Sequence, residues 1–114
     1  MLTIEELSSF GADTREGLGR CLNNEAMYLR LVNMALDDAS FDKLAAAVEA
    51  DDRKAAFQAA HALKGVMGNL ALTPIYEVSS EMTELLRAEK DADYPAYLDK
   101  ILSRRNALLA LRDN

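Results

Sequence analysis

Apolar residues recur along most of the chain at the spacing of one helix face. They take every third or fourth position after Thr73-Pro74, and the same spacing appears before residue 37 and towards the C-terminus. A period of 3.6 residues predicts amphipathic α-helices whose apolar faces point inward. The expected inward residues are Met27, Leu31 and Met34 with Tyr28, Val32 and Ala35; Leu44, Ala47 and Val48; Ile75, Val78, Met82, Leu85 and Leu86; and Tyr94, Leu98, Ile101 and Leu108.

Residues that cap helix N-termini separate these segments. Thr3 with Glu6 has capping-box spacing and Asp13 precedes Glu16 by three residues, so two short helices are predicted, the first ending near Gly11. The helix that begins at Asp51-Asp52 is expected to run to about residue 72. The later helices are predicted to begin at Asn23 or Asn24, at Ser40, at Asp51-Asp52, at Thr73 followed by Pro74, and at Asp93 or Tyr94.

Helices joined by short connections define the expected fold. Four substantial helices predict an all-α, up-down-up-down four-helix bundle with short additional helices at the N-terminus. We expect residues 1–114 to form a single domain, with the short helices over about 1–22 and the bundle over about 24–112. Only 5 Gly and 2 Pro occur, too few for the frequent turns of an all-β fold.

Composition excludes several classes of function. A net charge of −6 argues against nucleic-acid binding through phosphate neutralisation. Cys21 is the only cysteine and His61 the only histidine, so no internal disulfide and no His/Cys metal site is expected. The chain has no stretch of about 20 apolar residues, so a membrane-spanning helix is not expected. The N-terminus lacks a signal-peptide pattern, and a cytoplasmic location is expected.

The helix carrying His61 has two contrasting faces. On a helical wheel, His61 lies near the middle of the polar arc with Lys64, Gly65 and Gly68, among Lys54, Phe57, Gln58 and Asn69. The opposite arc, of roughly 160°, is expected to face the core. It comprises Ala55, Ala56, Ala59, Ala60, Ala62, Leu63, Val66, Met67 and Leu70.

The surroundings of His61 favour a chemical role for its imidazole. Glycine inside a helix costs about 1 kcal/mol relative to alanine, and two glycines on a polar face have no evident packing purpose within the chain. Gly65 and Gly68 would instead clear access to the ring, and Lys64 can reach an anionic group there. Neutral imidazole is a nucleophile, so a phosphoryl group on His61 fits this setting. The alternative is an ordinary surface histidine, the usual role of a lone His on a helix.

These residues carry a family resemblance. His61-Ala62-Leu63-Lys64-Gly65, preceded by Ala60 and followed by Gly68-Asn69-Leu70, resembles the signature of histidine-containing phosphotransfer (HPt) domains. The run Asn23 to Leu29 resembles the opening of the first long helix of that family, so the resemblance covers roughly the whole chain. Two positions depart from the common pattern: Val66-Met67 replaces small residues, and Ala71 stands where a second Gly often follows. Both Val66 and Met67 are expected in a repacked core.

The resemblance implies a phosphorelay intermediate in two-component signalling. Its partners would be response-regulator receiver domains and a hybrid sensor histidine kinase, with phosphoryl groups passing between receiver aspartates through this chain. His61 would be phosphorylated, Lys64 would stabilise the phosphoryl group, and Gly65 would give access. The chain has no Gly-rich phosphate loop that could hold ATP, so we expect a monomeric carrier and not an enzyme, with no cofactor.

Further residues have open roles. Phe57 is either an apolar anchor for a receiver domain or an edge-of-core residue. Gln58 and Asn69 either line the docking surface or are simply solvated. Thr83 and Arg87 are expected opposite the apolar stripe of their helix, where Arg87 could add positive charge near His61. The methionines are expected in the core: Met27, Met34, Met67 and Met82. Cys21 is expected to be structural.

Two other functions compete with the phosphorelay. One is the dimerisation and phosphoacceptor domain of a histidine kinase, a two-helix hairpin in which an acidic residue follows the His and a Thr-Pro or Asn-Pro comes soon after. Here Ala62 follows His61, and the only Thr-Pro lies twelve residues on, at a helix start. The other is a helical adaptor in which His61 has no chemistry.

Overall fold

The computed structural model describes residues 1–114, and its regular structure is entirely α-helical. This confirms the predicted all-α class with short helices at the N-terminus. The seven helices are α1 (Ile4–Phe10), α2 (Thr14–Arg20), α3 (Glu25–Leu36), α4 (Ser40–Glu49), α5 (Arg53–Asn69), α6 (Thr73–Arg87) and α7 (Tyr94–Arg112).

Side-chain caps account for the start of five helices. In each, an oxygen of the N-cap side chain accepts the backbone N–H three residues later, a group that has no partner within the helix. Thr3 and Glu6 form the full reciprocal capping box on α1. The predicted caps confirmed in this way are Thr3, Asp13, Asn24, Asp52 and Asp93.

Two predicted caps and one predicted helix end are wrong. Ser40 is the first residue of α4, and its N–H donates to the Asp38 carboxylate. Thr73 is likewise the first residue of α6, and its hydroxyl donates to the Ala71 carbonyl at 3.3 Å. The helix α5 ends at Asn69, three residues early, because Ala71 adopts a left-handed φ of 55° that a helix cannot continue through.

The long helices pack side by side around one core. The helix α5 packs most extensively on α6 and α4, and α7 packs on both of these helices, so α4 to α7 enclose the bundle interior. Phe57 of α5 contacts Arg87 of α6, and Lys64, later on α5, contacts Glu84, which comes earlier on α6. These two helices are therefore antiparallel. The up-down order of all four helices stays a prediction, as do the domain boundaries.

The exposed methionines of α3 correct the predicted core. Met27 and Met34 are 43% and 63% exposed, whereas Met67 and Met82 are fully buried as predicted. The helix buries Tyr28, Val32 and Ala35, as predicted, together with Leu36. Apolar residues occupy both adjacent stripes of α3, so the period alone could not decide which stripe faces inward.

Residues before and within α3 hold the C-terminal end of α5. Carbonyls at the end of a helix have few partners within it, and here three donors from elsewhere bond to carbonyls at the end of α5 or just beyond it. Arg20 Nη1 donates to the Gly68 carbonyl at 2.5 Å. The Tyr28 hydroxyl donates to the Leu70 carbonyl at 2.7 Å, and the Asp13 N–H donates to the Ala71 carbonyl at 2.9 Å. The short N-terminal helices are thereby attached to the helix that carries His61.

Gly17 and Gly19 provide a matched pair for testing this attachment. A Cβ on Gly17 would lie 2.5 Å from the ring of Tyr28, which is fully buried and hydrogen-bonded, whereas a Cβ on Gly19 would meet nothing. We expect Gly17→Ala to lower the free energy of unfolding by about 1–3 kcal/mol through overpacking. Gly19→Ala should raise it by up to about 1 kcal/mol. Urea unfolding of both variants checks this, and equal effects would contradict the packing at Gly17.

Tyr28 also predicts a pH dependence of stability. Burial, followed by the nearby Cys21 and Asp13, raises the pKa of Tyr28 from 10.0 to about 12. Because the unfolded chain releases this proton first, the free energy of unfolding should fall as the pH rises from 10 to about 12. Tyr28→Phe should lack this component. Urea unfolding at several pH values checks the difference, with Tyr76→Phe as control; identical profiles for wild type and Tyr28→Phe would refute it.

Candidate functional site

The side chain of His61 projects from the middle of α5 into solvent. It is exposed, while its neighbours Ala60 and Leu63 are fully buried in the bundle. Since these neighbours fix the rotation of α5 about its axis, the backbone under the imidazole cannot turn without removing core residues from their sites. The imidazole therefore stands at a defined place on a rigid helix.

An aromatic stack orients the plane of the imidazole. The rings of Phe57 and His61, one helical turn apart, are stacked with centroids 5.7 Å apart and an angle of 4° between their planes. The Arg87 guanidinium lies over Phe57, with its central carbon 5.1 Å from the ring centroid. Phe57 is half-buried and packs against the core, so both roles considered for it have a structural basis. Arg87 faces the His61 helix.

Lys64 and Arg87 are linked by a residue that the sequence did not single out. One carboxylate oxygen of Glu84 lies 3.6 Å from Lys64 Nζ, and the other lies 3.4 Å from Arg87 Nε. Lys64 retains 27% of its side-chain exposure and lies on the helical turn that follows His61. The Lys64–Glu84 distance exceeds that of a good charge-assisted hydrogen bond, so the ammonium group remains available to another anion.

The two glycines of the site differ in what they do. A Cβ on Gly65 would meet nothing within 4 Å, in keeping with the expected access to the imidazole. A Cβ on Gly68 would lie 3.0 Å from the ring of Tyr76, which packs over this position from α6. Gly68 therefore has a packing reason within the chain, and the expectation that it had none is wrong. The sequence could not reveal this contact, because Tyr76 lies on another helix.

An open pocket of about 600 Å³ adjoins His61. Its lining brings together His61, Lys64, Gly65, Gly68 and Asn69 of α5, with Thr73 and Tyr76 of α6, Ala71 between them, and Asp13, Glu16 and Arg20 from the region of α2. Asn69 thus lines the same pocket as His61. Gln58 does not: it lies in a separate groove between α4 and α5.

Two expectations about burial near the site are wrong. Ala62 is exposed and not in the core, because it lies at the edge of the apolar arc in the open groove between α4 and α5. Thr83 is fully buried, although it was expected opposite the apolar stripe. The helix α6 is covered by both α5 and α7, and the Thr83 hydroxyl donates to the Ser79 carbonyl at 2.6 Å, which satisfies it inside the bundle.

The molecule has neither a metal-binding cluster nor a membrane-spanning helix. No three His, Cys, Asp or Glu side chains come together in a way that could hold a metal ion. No helix combines the length and apolar character needed to cross a bilayer.

A comparison with family models decides the family. The Hpt domain model matches residues 27–114, which include all of α4 to α7 and the His61 signature. The chain belongs to the Hpt domain family. Neither the comparison with curated proteins nor the comparison with solved structures finds a match.

Membership gives the chain a phosphotransfer role in two-component signalling. Hpt domains are helical bundles that act as phosphocarrier modules in phosphorelays, through receiver domains and kinases. The Hpt match begins at residue 27, so α1, α2 and the first residues of the run Asn23 to Leu29 lie outside it. Within it, Met67 is fully buried, as its place on the apolar arc predicts, and Val66 is half-buried at the edge of the core.

Gly65 and Gly68 give a further prediction. Gly65→Ala should raise the free energy of unfolding by about 0.5–1 kcal/mol, since its methyl group enters open space and alanine favours a helix. Gly68→Ala should be less stable than Gly65→Ala, because Tyr76 must move to accommodate the methyl group. Thermal and urea unfolding of the two single variants measure the difference; a Gly68→Ala variant at least as stable as Gly65→Ala would contradict the Tyr76 contact.

Proposed function

We propose that this Hpt domain is a phosphorelay intermediate that accepts a phosphoryl group on His61 from a receiver-domain aspartate and passes it to another receiver domain. The observation that carries the proposal is an exposed imidazole held in a fixed plane, with open space over Gly65 and the Lys64 ammonium group one turn away. Positioning of this kind lowers the entropic cost of bringing a nucleophile to a substrate.

The transfer is a pair of displacements at phosphorus. A ring nitrogen of neutral imidazole attacks the phosphorus of the aspartyl phosphate, the bond from phosphorus to the aspartate oxygen breaks, and the carboxylate leaves with the electron pair. The other ring nitrogen keeps its proton. In the second step a carboxylate of another receiver domain attacks the same phosphorus, and the electron pair of the N–P bond returns to His61.

Lys64 is proposed to stabilise the phosphoryl oxygens. Its present partner Glu84 lies at 3.6 Å, and this carboxylate is shared with Arg87. A dianionic phosphoryl group is a stronger partner for an ammonium group than a shared carboxylate, so Lys64 can turn to it without a buried charge being left alone. Gly65 keeps the approach to the imidazole open.

The surface around His61 is proposed to receive the partner domains. Phe57 and Arg87 lie on one side of the imidazole, and Asn69 lines the pocket on the other. Gln58 is assigned to the margin of this surface, since it lies in the groove towards α4. The partners are response-regulator receiver domains and a hybrid sensor histidine kinase, and the chain acts in the cytoplasm as a monomeric carrier without an ATP site of its own.

The competing functions have less support. A kinase phosphoacceptor domain would present a two-helix hairpin with faces left for a second chain, whereas α5 is packed between α4 and α6 of the same chain. If the chain were an adaptor without histidine chemistry, the open space at Gly65 and the stacked imidazole would have no function.

The assay is phosphotransfer from a purified receiver domain carrying labelled aspartyl phosphate. Label should appear on this chain in acid-labile form and be absent in His61→Gln, because glutamine offers no nucleophilic ring nitrogen. Lys64→Gln should slow the transfer about tenfold, the size expected for one charge-assisted hydrogen bond. Lys100→Gln is the matched control, since Lys100 is exposed on α7.

Label that persists in His61→Gln would refute the proposal, and equal rates for Lys64→Gln and Lys100→Gln would remove Lys64 from the site. Sedimentation equilibrium distinguishes the kinase alternative, which requires a dimer. If His61→Ala leaves receiver binding and signalling unchanged, the adaptor function is the correct one.

A further inference from the structure

The Glu84 carboxylate completes a chain of contacts that begins and ends beside His61. One of its oxygens lies 3.6 Å from Nζ of Lys64, on the turn of α5 that follows His61, and the other lies 3.4 Å from Nε of Arg87. The Arg87 guanidinium covers the ring of Phe57, which stacks on the imidazole from the preceding turn. Glu84 joins these side chains from α6 and is the acidic member among them.

The ammonium group of Lys64 lies within reach of both Glu84 and a group carried by His61. Lys64 and His61 line the same pocket, and side chains three residues apart on a helix have Cβ atoms only about 5–6 Å apart. A phosphoryl group on His61 would bring about two negative charges near pH 7. It would therefore compete with the Glu84 carboxylate for the same ammonium group.

This competition is mild, because Glu84 is half-exposed and has a second partner. Ion pairs at exposed positions contribute little, since solvent screens them. When Lys64 turns to the phosphoryl group, Arg87 still neutralises the Glu84 carboxylate, so no charge is left without a partner. Phosphorylation then exchanges one weak contact of Lys64 for a stronger one, because the phosphoryl group is the more highly charged anion.

We propose that Glu84 limits how tightly the site holds its phosphoryl group, by competing for Lys64. The carboxylate binds Lys64 in the unmodified protein and so stabilises that state relative to the phosphorylated one. Phosphohistidine thereby becomes a better phosphoryl donor, which suits an intermediate that must release the group it accepts. Glu84 is a positioning residue, since it acts through Lys64 and not on the phosphorus. The proposal rests on the phosphorylation of His61.

The test is the partition of labelled phosphoryl groups, at equilibrium, between this chain and the receiver domain of the phosphotransfer assay. This equilibrium depends on the free proteins alone, so a change in docking between them cannot alter it. We expect Glu84→Gln to shift the partition towards this chain about 2- to 5-fold, the range for an ion pair at a half-exposed site. Glu84→Asp, which keeps the charge, should lie closer to wild type than to Glu84→Gln.

Two controls isolate the route through Lys64. Glu77→Gln removes the same charge from an exposed position on the same helix that forms no ion pair, and it should match wild type. In a Lys64→Gln background, Glu84→Gln should have a much smaller effect, because the ammonium group for which the carboxylate competes is gone. Thermal unfolding of each variant checks that the fold is kept.

The outcomes distinguish this proposal from the phosphorelay itself. If wild type takes no label on His61, the proposed function fails and this proposal fails with it. If wild type is labelled but Glu84→Gln equals Glu77→Gln, Glu84 only joins α6 to α5. An equal effect of Glu84→Gln with and without Lys64 would also overturn the proposal, since the carboxylate would then act on the phosphoryl group directly.

Discussion

The rotation of α5 about its own axis is the constraint on which the site depends. Ala56, Ala60, Leu63 and Met67 are buried against the neighbouring helices, and the small alanines let those helices approach closely. A shift by one residue would turn the helix by about 100°, carrying His61 towards the bundle and leucine and methionine into water. Packing free energy thus determines which atoms the protein presents to a partner.

The short helices at the N-terminus complete this arrangement from outside the bundle. Donors from Asp13 and Arg20 and, from α3, Tyr28 bond to carbonyls at the end of α5 and just beyond it. In return, the end of α5 gives the short helix α2, which contains Gly17 and Gly19, a place to attach. The segment also lines one side of the pocket that adjoins the histidine.

The sequence alone predicted those features that depend on neighbours along the chain. Helix starts at Thr3, Asp13, Asn24, Asp52 and Asp93, and the outward face of α5, follow from local hydrogen bonding and from the 3.6-residue period. Contacts between helices were not predictable in this way. The carboxylate of Glu84 between two cations, the ring of Tyr76 over Gly68, and the burial of Thr83 each depend on how distant segments meet. The inward placement of Met27 and Met34 on α3 was wrong for the same reason.

The stack of Phe57 on His61 has a consequence for the timing of entropy loss. An exposed imidazole on a bare helix samples several side-chain rotamers, and every productive encounter would have to select one of them. Here the parallel ring one turn away, itself covered by Arg87, restricts that sampling in the free protein. The side-chain entropy of the imidazole is therefore lost during folding, and orienting the nucleophile costs little at each encounter with a partner.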